Sequence, residues 1–471
     1  MPQSMESLSL EAVTKELPEI QQLDHEDVKQ NEARLTGRLV RSNIGNAKLG
    51  GLEKDLDLTQ SEYQWSLSIF YFGYVIFDLP SNIIMRRWRP SYWFGILMCA
   101  WGAVATAMAA CRNFTGLAIA RFLLGTFEAG FFPGVIYFMS LWYTRKEYAR
   151  RVGFFWSFGS LAGAFGGLIA YGISQIPTHT VATWQWLFII EGAPSVLLSV
   201  LAAWYLPNKP EEAKFLTDEE RKFAVRRLAE DAGVANDHSW SWKQVASVFS
   251  DWKTYVYMAI YILGSIAVQG VTLFLPSIIA GMGEWSLPVA QALTTPPYVL
   301  AFVSVIAIGY SSDKFFERAL HLVAVNLVSF AGFTILMFVS YDNVVAHYAG
   351  ACLVTMAVYS NVTVKVAWFN NNFGGLTRRA VASAAIVAVG TIGGAIGGQI
   401  YFDPPHYFAG SMIAFACMVA QTILVIGLRI TLARENKRRD QLSPEAKEQE
   451  IFAYGGVDLA GDRHPDYRYV L

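Results

Sequence analysis

The sequence predicts an all-α polytopic membrane protein, and three observations carry that expectation. Of 471 residues, 54% are hydrophobic and only 16% charged, where a soluble chain of this length carries about a quarter of its residues charged. The apolar residues gather in runs long enough to cross a bilayer core, which needs about 20 residues per helix. Lys and Arg collect in alternate connections between those runs, the pattern that sets membrane orientation.

Eleven runs qualify: 63–85, 91–111, 114–142, 151–173, 184–206, 254–280, 289–310, 320–340, 346–370, 379–401 and 408–429. The charged segment 207–252 divides them into five and six, and its pattern predicts short amphipathic surface helices. "RRWRP" (86–90), "RKEYARR" (145–151), segment 207–252, "SSDKFFER" (311–318), "LTRRA" (376–380) and "ARENKRR" (433–439) are basic and expected on the cytoplasmic side. "SQIPTHTVATWQ" (174–185), "GMGEWSLP" (281–288), "SYDNVVAH" (340–347) and "FDPPHYF" (402–408) lack Lys and Arg and are expected outside.

That alternation runs the first visible helix from outside to inside and would leave residues 1–62 outside, with no signal peptide to carry them. Residues 1–34 hold eight acidic against three basic residues, a composition expected to stay disordered. In 35–62 the longest strictly apolar run is Leu39-Val40. The expectation is therefore that one helix is missing before "RSNIGNA". Restoring it gives two pseudo-symmetric six-helix halves and cytoplasmic termini. The domain reading is a disordered tail at 1–34, a first half at 35–206, a central loop at 207–252, a second half at 253–430 and a cytoplasmic tail at 431–471.

Net charge is −1, which leaves no basic field for nucleic acid. The four cysteines, Cys99, Cys111, Cys352 and Cys417, lie in or beside apolar runs without metal-type spacing. No nucleophile–base set, metal cluster or phosphate loop is legible. "GGAIGG" lacks the strand and the Lys of a nucleotide loop. Neither an enzyme nor a cofactor is expected.

Ionisable groups inside apolar runs are the candidate functional residues. Arg121 and Glu128 are seven residues apart, nearly on one helix face and about 10 Å apart in depth. Glu128 falls near the midpoint of its run. The pair either couples proton entry to anion binding or pins neighbouring helices. Lys365 could hold a carboxylate, snorkel, or pair with Glu128. Gln269, Asn361 and Asn370 add hydrogen-bond capacity for a ligand or for helix contacts. Asp78 near Arg86, Arg87 and Arg89, and Asp313 beside Lys314 and Arg318, read as loop locks that hold one gating state. Glycines cluster in "GSLAGAFGG" (159–167) and "GTIGGAIGG" (390–398), where small residues let helices approach closely. Pro296 and Pro297 predict a bend or break in their run.

Six plus six helices around a cytoplasmic loop is the layout of major facilitator transporters, whose substrate site lies between the halves. The stretches "RSNIGNAKLGGLEKDL", "FDLPSNIIMRRWRPSYW", "RFLLGTFEAGFFPGVIYFMSLWYTRKEYARR", "LAGAFGGLIAYGI", "WQWLFIIEG" and "NNNFGGLTRRAVASA" together resemble the fungal anion:cation symporter branch of that superfamily. That branch includes allantoate, pantothenate, biotin and nicotinate permeases, and the resemblance covers about residues 40–435. It implies the facilitator fold, a fungal source, a plasma-membrane location and transport of a small organic anion, usually with protons; the chain is expected to be a monomer. It also places Glu191 of "FIIEGAP" among the gating residues. In the branch the first helix ends in "LDR" before "SNIGNA", and its Asp is a proton-coupling candidate; here that position is Val40. Two alternatives stand beside import: export of a fungal metabolite, and a truncated membrane protein that does not transport.

Overall fold

Each apolar run of the sequence becomes helix, and two of them become two helices. The computed structural model describes residues 43–143, 145–176, 181–213, 215–232, 242–374, 376–453 and 461–471; the predicted tail 1–34 and Val40 lie outside the described residues. Two short helices come first, α1 (Ile44–Leu49) and α2 (Leu52–Asp55). The first half continues with α3 (Gln60–Arg87), α4 (Pro90–Met108), α5 (Phe114–Ala129), α6 (Phe131–Trp142), α7 (Arg145–Ser174) and α8 (Thr183–Tyr205). The central loop contains α9 (Asp218–Ala232) and α10 (Trp242–Phe249), the short surface helices expected there. The second half holds α11 (Trp252–Ala280), α12 (Leu287–Ala292), α13 (Thr295–Phe315), α14 (Ala319–Phe338), α15 (Val344–Asn372), α16 (Leu376–Gly397) and α17 (Phe408–Asp440), and α18 (Pro444–Ala453) follows. Among the described residues nine helical segments are long and apolar enough to cross a membrane, and two shorter apolar segments, Phe158–Ser174 and Val381–Gly397, complete the eleven.

Local chemistry sets the helix starts. Thr59 and Glu62 form a reciprocal capping box at α3, which satisfies backbone donors that the first turn leaves open. Asn113, Asp251 and Asn343 cap α5, α11 and α15 through side-chain oxygens. The two breaks have equally plain causes. Pro296 and Pro297 open α13 in its first turn, where a proline costs no helical hydrogen bond, so the run 289–310 splits between α12 and α13. The run 114–142 splits at Gly130. A Cβ there would stand 1.6 Å from the Ser81 hydroxyl of α3, so only glycine admits this approach.

Packing within each half repeats. In the first, α4 lies along α8 and α3 along α5; in the second, α14 lies along α17 and α13 along α15. In the second half α11 packs extensively on α16, whereas among the described residues α7 has no counterpart of α11 in its own half. That asymmetry fits the eleven-span reading of the sequence. The halves meet where α7 packs on α12 and α13, where α3 packs on α16, and where α1 packs on α11.

The glycine clusters lie at these contacts. A Cβ on Gly163 of α7 would come within 2.6 Å of the Tyr298 ring, and one on Gly167 within 2.2 Å of the Thr294 hydroxyl. On α16, Gly394 would meet Tyr71 of the first half at 2.2 Å, and Gly390 would meet Tyr261 of its own half at 1.9 Å.

The chain after α17 does not hang free as a simple tail. Helix α17 runs on to Asp440, and residues 461–471 return to pack against helix ends of the second half, with Asp462 fully buried.

Candidate functional site

Between the halves lies a cavity of about 160 Å³. The first half supplies Tyr71 and Tyr74 of α3, Trp101 of α4, Glu128 of α5, Phe131 and Phe132 of α6, and Gly159, Ser160 and Gly163 of α7. The second supplies Tyr261, Ser265, Gln269 and Thr272 of α11, Tyr359 and Thr363 of α15, and Gly390, Thr391 and Gly394 of α16. The break at Gly130 positions this wall: α5 ends one residue beyond Glu128, and α6 restarts with the two phenylalanines. Thr272 is held by a hydrogen bond to the Val268 carbonyl at 2.6 Å and a contact with the Tyr359 hydroxyl at 3.0 Å. Among the described residues that line the cavity there is no Lys, Arg or His, and Glu128 is the one carboxylate.

The other polar candidates hold helices together. Arg121 is 1% exposed; its Nε donates to the Ser66 carbonyl at 3.2 Å and its guanidinium lies 5.1 Å from the Phe70 ring centre, which ties α5 to α3. Lys365 is 2% exposed, with its ammonium 4.5 Å from the Tyr261 ring centre and 3.5 Å from the Tyr261 carbonyl. Asn361 donates to Asn326 and Gln421, both at 2.8 Å, a buried amide network that joins α14, α15 and α17. Asn370 accepts from Ser383 and donates to the Val366 carbonyl, joining α15 to α16. Neither Lys365 nor Asn361 lines the cavity.

The expected loop locks divide similarly. Asp313 pairs with Arg318 at 2.5 Å, and Arg318 also donates to Ser312, while Lys314 is exposed. Asp78 accepts from Asn82 at 3.2 Å. Arg87 is exposed, and the side chain of Arg86 lies outside the described residues. Glu191 is 3% exposed within α8, away from any loop, and its carboxylate oxygens have no hydrogen-bond partner among the described residues.

Beyond the cavity, at the end bearing the Lys- and Arg-poor connections, the halves close on each other. Gln64 of α3 donates to the Tyr401 carbonyl at 3.0 Å, Ser68 donates to the Ala395 carbonyl at 2.8 Å, and Gln399 donates to Ser68 at 2.8 Å. Phe274 stacks on Tyr401 with ring centres 5.0 Å apart and meets Tyr63 edge-on. Helix α1 wedges into the same end: Tyr63 donates to the Ile44 carbonyl, and Lys48 covers the Tyr63 ring at 4.4 Å. Gly45 fits only because it lacks a Cβ, which would fall 2.5 Å from the Leu273 carbonyl. The "SNIGNA" stretch is thus part of the seal.

Residues 35–398 match the sequence signature of the Major Facilitator Superfamily. The chain belongs to that superfamily. It is 32% identical over 427 residues to the MFS transporter prlL of a fungal species (strain NRRL 50135), covering 88% of this chain and 86% of that one. It is 33% identical over 444 residues to the major facilitator-type transporter hxnP of Emericella nidulans, covering 92% and 88%. The fold is also that of a bacterial homologue of the human lysosomal transporter Spinster, solved inward-facing and unoccupied. That match has a TM-score of 0.63 and 14% identity, and covers 86% of this chain and 94% of the other. Membrane transport through a multi-pass facilitator fold is the function these similarities support.

The aromatic wall escaped the sequence reading. Its signal was present: Tyr71 and Tyr74 share a helix face in mid-run, away from the interfacial belt where membrane tyrosines usually gather. Gly130 and Pro133 likewise marked the break that exposes Phe131 and Phe132.

Proposed function

We propose that this facilitator moves a small organic anion together with a proton, by alternating access at the cavity between its halves. The observation that carries the reading is the placement of a carboxylate: Glu128 lines the cavity between the halves, among aromatic faces and neutral hydrogen-bonding groups. Desolvating a carboxylate is costly, and a second one beside it costs more. One proton shared between Glu128 and the substrate removes a charge and leaves a strong carboxyl–carboxylate hydrogen bond. An anion can then occupy the site only when a proton comes with it, which is symport. Aromatic faces from both halves favour a substrate with a flat apolar body, and Gln269 and Thr272 offer it hydrogen bonds. In this reading the working unit is a monomer, and the branch resemblance supports a plasma-membrane location.

The test uses the purified chain in sealed proteoliposomes with labelled nicotinate or pantothenate, an imposed pH gradient, and a protonophore as control. Uphill accumulation that the protonophore abolishes supports the reading. Accumulation of neutral or cationic solutes alone removes the anion assignment. Movement of the anion only against the proton flow makes the protein an exporter. No movement of any solute leaves the non-transporting alternative.

A further inference from the structure

The buried charge cluster at the basic end of the second half lies apart from the cavity, and segment 461–471 completes it. Lys253, in the first turn of α11, donates to Asp462 at 2.7 Å and to the Tyr469 hydroxyl at 2.6 Å. Arg378 of α16 pairs with Asp251 at 2.6 Å and with Asp462 at 3.1 Å. Asp462, Arg378, Arg439 and Lys253 are 0%, 2%, 3% and 7% exposed.

Much of the remaining contact reads backbone. Arg439 of α17 donates to the carbonyls of Asp462, His464 and Tyr467 at 3.0, 3.2 and 2.9 Å. Asn436 clasps Tyr469 through its N–H and C=O, both at 2.9 Å. Asn372 of α15 does the same for Val470 at 2.9 and 2.8 Å, and Trp368 donates to the same carbonyl. The Leu471 carbonyl accepts from the Arg318 N–H at the start of α14. Two residues clasped at both backbone groups, with Asp462 and Tyr469 anchoring by side chain, is the way a groove recognises an extended peptide.

We propose that residues 461–471 are a built-in peptide ligand, whose docking fastens the ends of α11, α14, α15, α16 and α17 into one rigid body. All the anchors described belong to the second half. The segment therefore does not bar the cavity itself; it makes the second half move as a unit when the halves rock. Two acids, Asp251 and Asp462, face Lys253 and Arg378, so undocking leaves two buried cations against one carboxylate. That imbalance holds the peptide in place. Asp462 is the anchor by charge and Tyr469 the anchor by hydrogen bonding, since its hydroxyl also contacts Asp462 at 3.1 Å and Arg439 at 3.2 Å.

A specific protease site inserted within 454–460 of the full chain tests this. After cleavage in detergent, the released peptide should co-elute with the membrane body. Excess synthetic GDRHPDYRYVL should displace it, and displacement should not change the melting temperature while the groove stays filled. Washing the peptide away should lower melting by about 5 °C or more, and adding it back should restore the loss. Asp462→Asn should weaken retention at least about tenfold. If that chain does not fold, Tyr469→Phe gives the same reading in milder form. A cut peptide that leaves at once while melting stays unchanged overturns the proposal, as does retention unaffected by either substitution. Neither result bears on the transport reading, because the assay contains no solute.

Discussion

Glu128 and Lys365 are both charged residues in apolar runs, and their neighbours give them different work. Glu128 lines the cavity, whereas Lys365 lies behind it against Tyr261. Glu128→Gln keeps the shape and hydrogen-bonding capacity but removes the proposed proton site. Uphill, gradient-driven accumulation should fall by more than about tenfold, while solute exchange at equal pH persists. Flux measured in both modes on one preparation decides this, and equal loss in both would make Glu128 a shaping residue instead. Lys365→Met replaces a buried cation with an unbranched apolar chain of similar length. Because such replacements are often neutral or stabilising, melting should hold or rise, and KM should stay within about twofold. A large rise in KM would return Lys365 to the substrate.

Helix contacts across the halves depend on residues too small to bear a side chain. Gly163→Leu would drive atoms into the Tyr298 ring, which a Cβ alone approaches at 2.6 Å. Overpacking of this kind costs roughly 1–3 kcal/mol, so the variant should show lower melting and little transport, while Gly172→Ala, where a Cβ meets nothing within 4 Å, should behave as the unchanged chain. Thermal melting and flux on the pair check it. The glycine clusters were legible in the sequence because small residues at three- and four-residue spacing have one main use in a membrane helix. The break beside Pro296 was legible for the same kind of reason. The break at Gly130 had a sequence signal in Gly130 and Pro133, but the contact that requires glycine there, with Ser81, is distant in sequence and adjacent only in the fold. Arg121 and Asn361 show the same limit: periodicity places a polar group on a helix, but the partner helix decides whether it meets ligand or neighbour.

At the scale of the whole molecule, two fastenings act at opposite ends. At the basic end, burial alone would raise the Asp462 carboxyl, but the Lys253 and Arg378 charges outweigh it and hold the group below the ordinary carboxylate range. A carboxyl lowered on folding adds stability above its unfolded value, about 3.9, and loses that stability as pH falls through the folded value. Retention of the cleaved 461–471 peptide should thus be level from about pH 8 to 5 and fall below about pH 4. Loss between about pH 7 and 5 would assign the switch to a histidine. At the other end, the seal made by Gln64, Ser68 and Gln399 joins α3 to α16, one element from each half. Alternating access requires that seal to open in every cycle. Ser68 and Gln399 touch at 2.8 Å, so Ser68→Cys with Gln399→Cys, bridged by a short cleavable thiol reagent, should arrest transport, and reductant should restore it. Each single variant treated identically should keep its flux. If the bridged protein still accumulates solute, the seal is a fixed part of the structure and the path through the cavity does not pass it.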